Sequence, residues 1–169
     1  LLLFATFLLA TVTTLERQSG GRWARHWALL TAGFAVMAID EAWSLHERLI
    51  GPGRKLLGGE ELGIFFYAWV VFAIALLLVL APVLLRFVVS LPVATRFRFI
   101  VAGVLFVGGA IGTELVAGLF NERFGLHEDK GGYGVRHLQY SFIATVEESL
   151  EFAGSILFIR ALLLHLESE

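Results

Sequence analysis

The chain of 169 residues contains no cysteine. This absence excludes disulfide bonds, thiolate-bound zinc, iron–sulfur clusters and cysteine nucleophiles, so a metal ion would need oxygen and imidazole ligands. The formal net charge is only -2, and none of the glycines belongs to a phosphate-binding loop. Neither feature favours nucleic acid as a partner.

Charge is scarce over long stretches, and hydrophobic residues make up 57% of the chain. Residues 64–85 carry no charged side chain, and an uncharged apolar run of this length is typical of a transmembrane helix. We therefore expect an integral membrane protein whose first partner is the lipid bilayer. Residues 1–169 are expected to form a single membrane domain, since no polar domain interrupts them.

Five apolar segments are separated by short polar loops, at residues 1–15, 27–49, 64–89, 99–120 and 137–165. These segments are too long for barrel strands, and the backbone of a spanning segment must satisfy its own hydrogen bonds. The pattern predicts an all-α fold, a polytopic transmembrane bundle of about five helices. The chain begins inside an apolar run without Met, so we expect the first helix to be truncated. Gly108 and Gly112 form a GxxxG pattern that permits close helix contact.

Basic residues are divided almost evenly between the two ends of the predicted helices. Loops one and three and the C-terminal end carry seven basic residues, against six in the opposite loops. By the positive-inside rule, this difference favours a cytoplasmic C-terminus. We expect the membrane to be a bacterial inner membrane.

Six carboxylates lie within the predicted spans, without Lys or Arg at comparable depth: Asp40, Glu41, Glu114, Glu147, Glu148 and Glu151. Each charged side chain at the centre of a spanning helix costs about 2.5–3.5 kcal/mol on insertion scales. Protons, a bound cation or a partner subunit must therefore compensate them.

These acids are predicted to share one half of the bilayer. At about 1.5 Å per residue, Asp40, Glu114 and Glu151 lie roughly 9–21 Å from one common face. Residues three, four and seven apart share a helix face. Two polar stripes result: Asp40, Trp43, Ser44 and Glu47 on the second segment, and His137, Tyr140, Ser141, Ala144, Glu148, Glu151 and Ser155 on the fifth. Glu41 and Glu147 are predicted to point about a quarter turn off these stripes.

A metal site is the first hypothesis for this cluster, because a divalent cation would relieve the repulsion between the acids. Oxygen ligands with one or two imidazoles favour iron or manganese, and suit zinc less well. The predicted ligands are Asp40, Glu47, Glu114, Glu148 and Glu151, with His46 and His137 as imidazoles. The residues predicted to support them are Glu41, Glu147, Tyr140 and Ser44.

Two motifs carry a resemblance to known proteins: D40-E41-A-W-S-L-H46-E47 and E147-E148-S-L-E151. Acids on three helices resemble the ferritin-like di-iron carboxylate bundles, although the Glu-x-x-His motif of that family is absent. The DExxxxHE and EExxE motifs also resemble a group of small bacterial multi-span membrane proteins without an assigned activity. The first resemblance implies a di-iron-like site; the second implies a membrane fold and no function.

Three functions remain open at this point, and the sequence does not decide whether the protein is an enzyme. A di-iron-like site could perform redox chemistry on a lipid-soluble substrate such as a quinone. A polar path from His137 through Tyr140 to Glu148 and Glu151 could be a proton or cation half-channel, since it stops at Ser155. The chain could also be a non-catalytic subunit or assembly factor of a respiratory or photosynthetic membrane complex. Haem ligation lacks a supporting motif.

Overall fold

The computed structural model describes residues 1–59, 62–124 and 135–167. Within these ranges the secondary structure is entirely helical, which confirms the all-α prediction. The seven α-helices are α1 Leu2–Gln18, α2 Ala24–Trp43, α3 Ile50–Leu57, α4 Trp69–Ser90, α5 Val93–Val107, α6 Glu114–Phe124 and α7 Val135–Leu166. Two 3₁₀ turns, His46–Leu49 and Gly63–Phe65, precede α3 and α4, and a π-helix, Gly108–Thr113, joins α5 to α6.

Three helical stretches are long and apolar enough to cross a membrane: Trp69–Ser90, Val93–Asn121 and Ser141–Leu166. The pair Ala24–Trp43 and His46–Leu57 passes the same test together, but is bent by 85° at its break. The described part of the chain therefore has three such helices, or four if the bent pair is one span. Each of the five predicted apolar segments contains a helix. The helix of the first segment, α1, has only 17 residues and is not among the helices that could cross a membrane.

The second predicted helix does not run unbroken from residue 27 to residue 49. It ends at Trp43, and Ser44 takes the left-handed conformation with φ 46° and ψ 48°. The backbone N–H of His46 then donates to Oδ1 of Asp40 at 2.7 Å, instead of continuing the helix. A short acidic side chain near a helix end competes for backbone donors in this way. As a result, His46 and Glu47 lie on a separate turn and not on the stripe of α2.

The helices pack around two apolar clusters at opposite ends of the bundle. The larger cluster joins α1 to the start of α2, the end of α4, the middle of α5 and the last third of α7, and its buried side chains include Leu9, Trp27, Phe87 and Leu162. The smaller one holds the start of α4 against α6 through Val70 and Ala117. Since α4 belongs to both clusters, it is held mainly at its two ends.

Close helix contact is made by glycines other than the predicted GxxxG pair. A Cβ on Gly154 of α7 would lie 2.7 Å from the backbone nitrogen of Phe106 and 2.8 Å from the carbonyl oxygen of Ala102. A Cβ on Gly108 or Gly112 would meet no described atom within 4 Å. Within the described residues, the contact that the GxxxG pattern permits is not made at Gly108 and Gly112; α5 and α7 approach each other at Gly154 instead.

Candidate functional site

Carboxylates from α2, the following 3₁₀ turn, α6 and α7 are close enough to interact electrostatically with one another or with one imidazole. We call this group the acid cluster and define it as Asp40, Glu41, His46, Glu47, Glu114, Glu147, Glu148 and Glu151. His46 is its centre, because it interacts electrostatically with Glu114, Glu147 and Glu151 in addition to Asp40. The convergence predicted by counting residue depths is thus present among the described residues.

Asp40 and His46 form the shortest polar contact of the acid cluster. Oδ2 of Asp40 lies 2.8 Å from Nδ1 of His46, and Oδ1 accepts the His46 backbone N–H at 2.7 Å. Both side chains are partly buried, with 34% and 28% exposed for Asp40 and His46. The Trp69 ring lies 4.8 Å from the imidazole, between centroids. The imidazole of His46 is therefore fixed through Nδ1, and its Nε2 is the nitrogen that remains for a second partner.

The π-helix brings Glu114 into the acid cluster. Within it, the hydroxyl of Thr113 donates to the carbonyl oxygen of Gly109, and Glu114 begins α6 directly afterwards. Glu114 interacts electrostatically with Glu47 and Glu151 as well as His46. The indole N–H of Trp69 is buried near this carboxylate, but makes no hydrogen bond of normal geometry within the described ranges. Single-turn π-helices are found frequently at functional sites.

Gly109 brings α7 close to the π-helix at the level of the acids. A Cβ on Gly109 would lie 3.0 Å from the carbonyl oxygen of Glu147 and from Cγ of Glu151. Glu147 and Glu151 are consequently partly buried, whereas Glu148 is exposed. This reverses the angular prediction, which placed Glu148 inward and Glu147 off the stripe. On α2, Asp40 is partly buried and Glu41 is exposed, as predicted. Trp43 and Glu47, which the prediction placed on the same stripe as Asp40, are exposed.

No Lys or Arg of the described chain forms an ion pair with an acid of the cluster. Arg48 follows Glu47 directly but forms no ion pair with it among the described residues, and Arg54 donates from Nε and Nη2 to the carbonyl oxygen of Phe66, at 3.3 Å each. Its guanidinium carbon also lies 4.3 Å from the centroid of the Phe66 ring. The imidazole of His46 is therefore the only protein group in the cluster that can carry a positive charge.

The predicted metal ligands are close, but they are not assembled into a coordination site. Across residues 1–59, 62–124 and 135–167, no three His, Asp or Glu side chains converge closely enough to hold a metal ion. His137 and Tyr140 belong to α7, but their side chains lie outside the described part. Ser44 lies at the break after α2. The proposed ligand roles of Asp40, Glu47, Glu114, Glu148 and Glu151 stay predictions.

Three residues that position the acid cluster were not found from the sequence: Trp69, Gly109 and Thr113. The sequence signal of Gly109 and Thr113 is weak, because a glycine pair followed four residues later by Thr and Glu does not by itself indicate a π-helix or a site. Trp69 resembles an ordinary interfacial aromatic residue.

An aromatic layer separates the acid cluster from the opposite end of the bundle. It consists of Trp27, Phe34, Phe99 and Phe158. Centroid distances are 4.6 Å between Phe34 and Phe158, 4.7 Å between Phe99 and Phe158 and 6.0 Å between Trp27 and Phe99. Phe158 follows Glu151 by seven residues, about 10 Å along α7. The polar region therefore occupies one half of the bundle.

Comparison with known proteins places the chain in a family. No curated protein and no solved structure matches it. Residues 1–166 match a family described as a domain of unknown function, DUF8692. Because this match covers nearly the whole sequence, the chain belongs to the DUF8692 family.

Proposed function

We propose that this protein is an integral membrane protein whose acid cluster takes up a cation from one side of the membrane, and that this cation is the proton. The observation that carries the proposal is the grouping of carboxylates from four elements around His46 without a Lys or Arg partner in the described chain. Intramembrane acids are costly and mark ion or proton sites.

The proton fits the described geometry better than a metal ion does. A proton needs one oxygen or nitrogen atom at a time, whereas a metal ion needs several ligands together, and no such set of three is assembled among the described residues. Carboxyl and imidazole groups are the usual proton acceptors and donors of proteins. Asp40 and His46 already form one such pair at 2.8 Å.

The aromatic layer makes this site a half-path and not a complete channel. Protons would enter from the end that carries His46 and Glu47, and would stop before Phe34 and Phe158, whose rings are 4.6 Å apart. In this proposal α1 and the bent α2–α3 pair complete a five-span bundle. A half-path requires another subunit to use it, and stoichiometric co-purification of a membrane partner would identify one.

A divalent metal ion is the second candidate, favoured by the combination of many carboxylates with one imidazole. Iron or manganese suits such a ligand set best. The long Glu side chains of α6 and α7 would have to move to bind it. A redox reaction on a lipid-soluble substrate would then be the function, with His46 and Glu151 among the ligands.

Metal analysis of the purified protein distinguishes the two candidates. The test compares wild type with the double variant Glu147→Gln/Glu151→Gln, using Glu167→Gln, an exposed acid at the end of α7, as the matched control. For a proton site we expect metal-free protein in all three, and a helical fold that survives in the double variant, because Gln resembles a neutral carboxyl in size and polarity.

About one or two equivalents of iron or manganese in wild type and in Glu167→Gln, but not in the double variant, would overturn the proton proposal in favour of the metal site.

A further inference from the structure

The middle of α4 stands away from α5 and leaves an apolar groove between them. The groove has a volume of about 730 Å³ and is lined only by apolar residues and glycine. Leu77, Ala81 and Val88 belong to the α4 wall, and Gly103, Gly108 and Gly112 to the opposite wall. No described atom lies within 4 Å of a Cβ built on any of these three glycines.

The groove exists because α4 packs against its neighbours mainly at its two ends. The start of α4 packs against α6 through Val70, and its end packs into the larger apolar cluster through Phe87. Between these contacts lies Pro82, which cannot donate a backbone hydrogen bond and disfavours a straight helix. Leu78 and Val79 are each 70% exposed. The groove lies between Trp69–Ser90 and Val93–Asn121, two helical stretches that are long and apolar enough to cross a membrane.

The size of the groove distinguishes between a lipid acyl chain and a transmembrane helix as its occupant. Its volume lies within the range of about 300–1,000 Å³ that is usual for small-molecule pockets. From Phe99 to Gly112 the α5 wall rises roughly 20 Å, and one leaflet of the hydrocarbon core is about 15 Å deep. A groove of this volume and length matches one extended acyl chain. A whole helix, which is about 10–12 Å wide with its side chains, would need a larger groove.

The charge at one end of the groove identifies the headgroup. Residues 62–113 contain Arg86, Arg96 and Arg98 and no Asp or Glu. Arg96 lies three and four residues before Phe99 and Ile100 and shares their face of α5. Its Nη1 donates to the carbonyl oxygen of Val89, beside the groove residue Val88, at 3.2 Å. Arg96 has further N–H donors, and a guanidinium binds phosphate oxygens well.

We propose that the α4–α5 groove binds an anionic phospholipid, with one acyl chain along Gly103 and Gly108 and the phosphate group at Arg96. The opposite end of the groove leads towards Glu114 and the acid cluster, which would repel an anionic headgroup, so the orientation is fixed. This proposal does not depend on which cation the acid cluster holds.

Native mass spectrometry of the detergent-purified protein tests it, with phosphatidylglycerol and phosphatidylcholine as probes. Gly103→Leu fills the groove, and we expect it to weaken phosphatidylglycerol binding about tenfold, equivalent to roughly 1.4 kcal/mol. Gly33→Leu is the matched control, because Gly33 lies on α2 and a Cβ there also meets no described atom within 4 Å. Arg96→Gln should remove the preference for phosphatidylglycerol, and Arg160→Gln, on exposed α7 surface, should keep it.

Two results would overturn the proposal. The first is equal binding of the two lipids to wild type, or phosphatidylglycerol binding that Gly103→Leu leaves unchanged. The second is a wild-type dimer that Gly103→Leu converts to a monomer while lipid binding persists, since a second copy of the chain would then be the occupant. Circular dichroism of each variant confirms that the helices are retained.

Discussion

At the scale of single residues, Asp40 is the side chain with the most specific role in the acid cluster. It accepts the backbone N–H of His46 with one oxygen and contacts the ring with the other. The first contact ends α2 in place of a further helical turn, and the second fixes the imidazole that interacts electrostatically with Glu114, Glu147 and Glu151. One carboxylate thus determines both the local backbone and the centre of the site.

Replacing Asp40 should separate these two contacts. Asp40→Ala removes both acceptors and should lower the free energy of unfolding by about 2 kcal/mol, whereas Asp40→Asn keeps one acceptor and should cost about half as much. Unfolding titrations in detergent micelles measure both values. Glu41→Gln is the control, because Glu41 is exposed and its replacement should change stability by less than about 0.5 kcal/mol. Equal stability of Asp40→Ala and Glu41→Gln would contradict this role.

At the scale of the helices, close packing at glycine holds α5 and α7 together at the depth of the acids. Gly154 contacts the backbone at Ala102 and Phe106, and Gly109 contacts the backbone at Glu147 and Glu151. Backbone atoms cannot rotate away as flexible side chains do, so even a methyl group at Gly154 forces the two helices apart. The positions of Glu147 and Glu151 relative to Glu114 depend on this spacing.

Gly154→Ala should therefore lower the free energy of unfolding by about 1–3 kcal/mol, as overpacking does. The matched control is Gly103→Ala, on α5, where a Cβ meets nothing within 4 Å in the described structure. It should be neutral or slightly stabilising, since alanine favours a helix by up to about 1 kcal/mol over glycine. Thermal unfolding of the two variants side by side checks the difference. A Gly154→Ala variant as stable as Gly103→Ala would show that the helices are not constrained here.

Hydrophobic runs predicted where the long helices lie, because apolar length dominates the energetics of a membrane segment. They did not predict α3, which forms at residues 50–57 between the second and third predicted segments. Depth counting also predicted that Asp40, Glu114 and Glu151 would converge. The break at Ser44 and the π-helix at Gly108–Thr113 could not be predicted, because each depends on a competing hydrogen bond, made by Asp40 in one case and by Thr113 in the other. Angular counting along α7 named Glu148 where the structure buries Glu147, because the π-helix packs at Gly109 against Glu147 and Glu151, and counting within one helix does not show which face a neighbouring helix covers.

At the scale of the whole molecule, the bundle has two unlike ends. The acid cluster and Trp69 occupy one end, and the turn between α4 and α5 brings Arg86, Arg96 and Arg98 to the other. The aromatic layer lies between them, with Trp27 in contact with both Phe87 and Phe99. The proposed topology places the arginine end in the cytoplasm.

Because the chain has no cysteine, single-cysteine labelling can test this topology cleanly. Ser19→Cys and Ser90→Cys lie at the arginine end, since Trp23 and Phe87 beside them are 5.6 Å apart between ring centroids. Both should react with an impermeant maleimide only from the cytoplasmic side, and Gly59→Cys, after α3, only from the opposite side. Labelling of all three from one side would show that α2 does not cross the membrane.

A half-path should not conduct protons on its own. Proteoliposomes containing the wild-type protein should keep an imposed pH gradient as long as empty liposomes do, because the proposed path ends at the aromatic layer beyond Glu151. Phe158→Asp, which places an acid in that layer, should let the gradient decay faster, with Phe152→Asp on exposed α7 surface as the control. Rapid decay with wild-type protein would contradict the closed half-path.

The most direct test of proton uptake is infrared spectroscopy of the protein in bilayers, during exchange from H₂O to D₂O. A protonated carboxyl group has a C=O stretching band that shifts on deuteration, whereas an ionised carboxylate lacks it. The account predicts this band in metal-free wild type at neutral pH and in Glu167→Gln, and its loss or strong reduction in Glu147→Gln/Glu151→Gln. A wild-type spectrum without the band, or a band that the double variant keeps at full strength, would contradict the account.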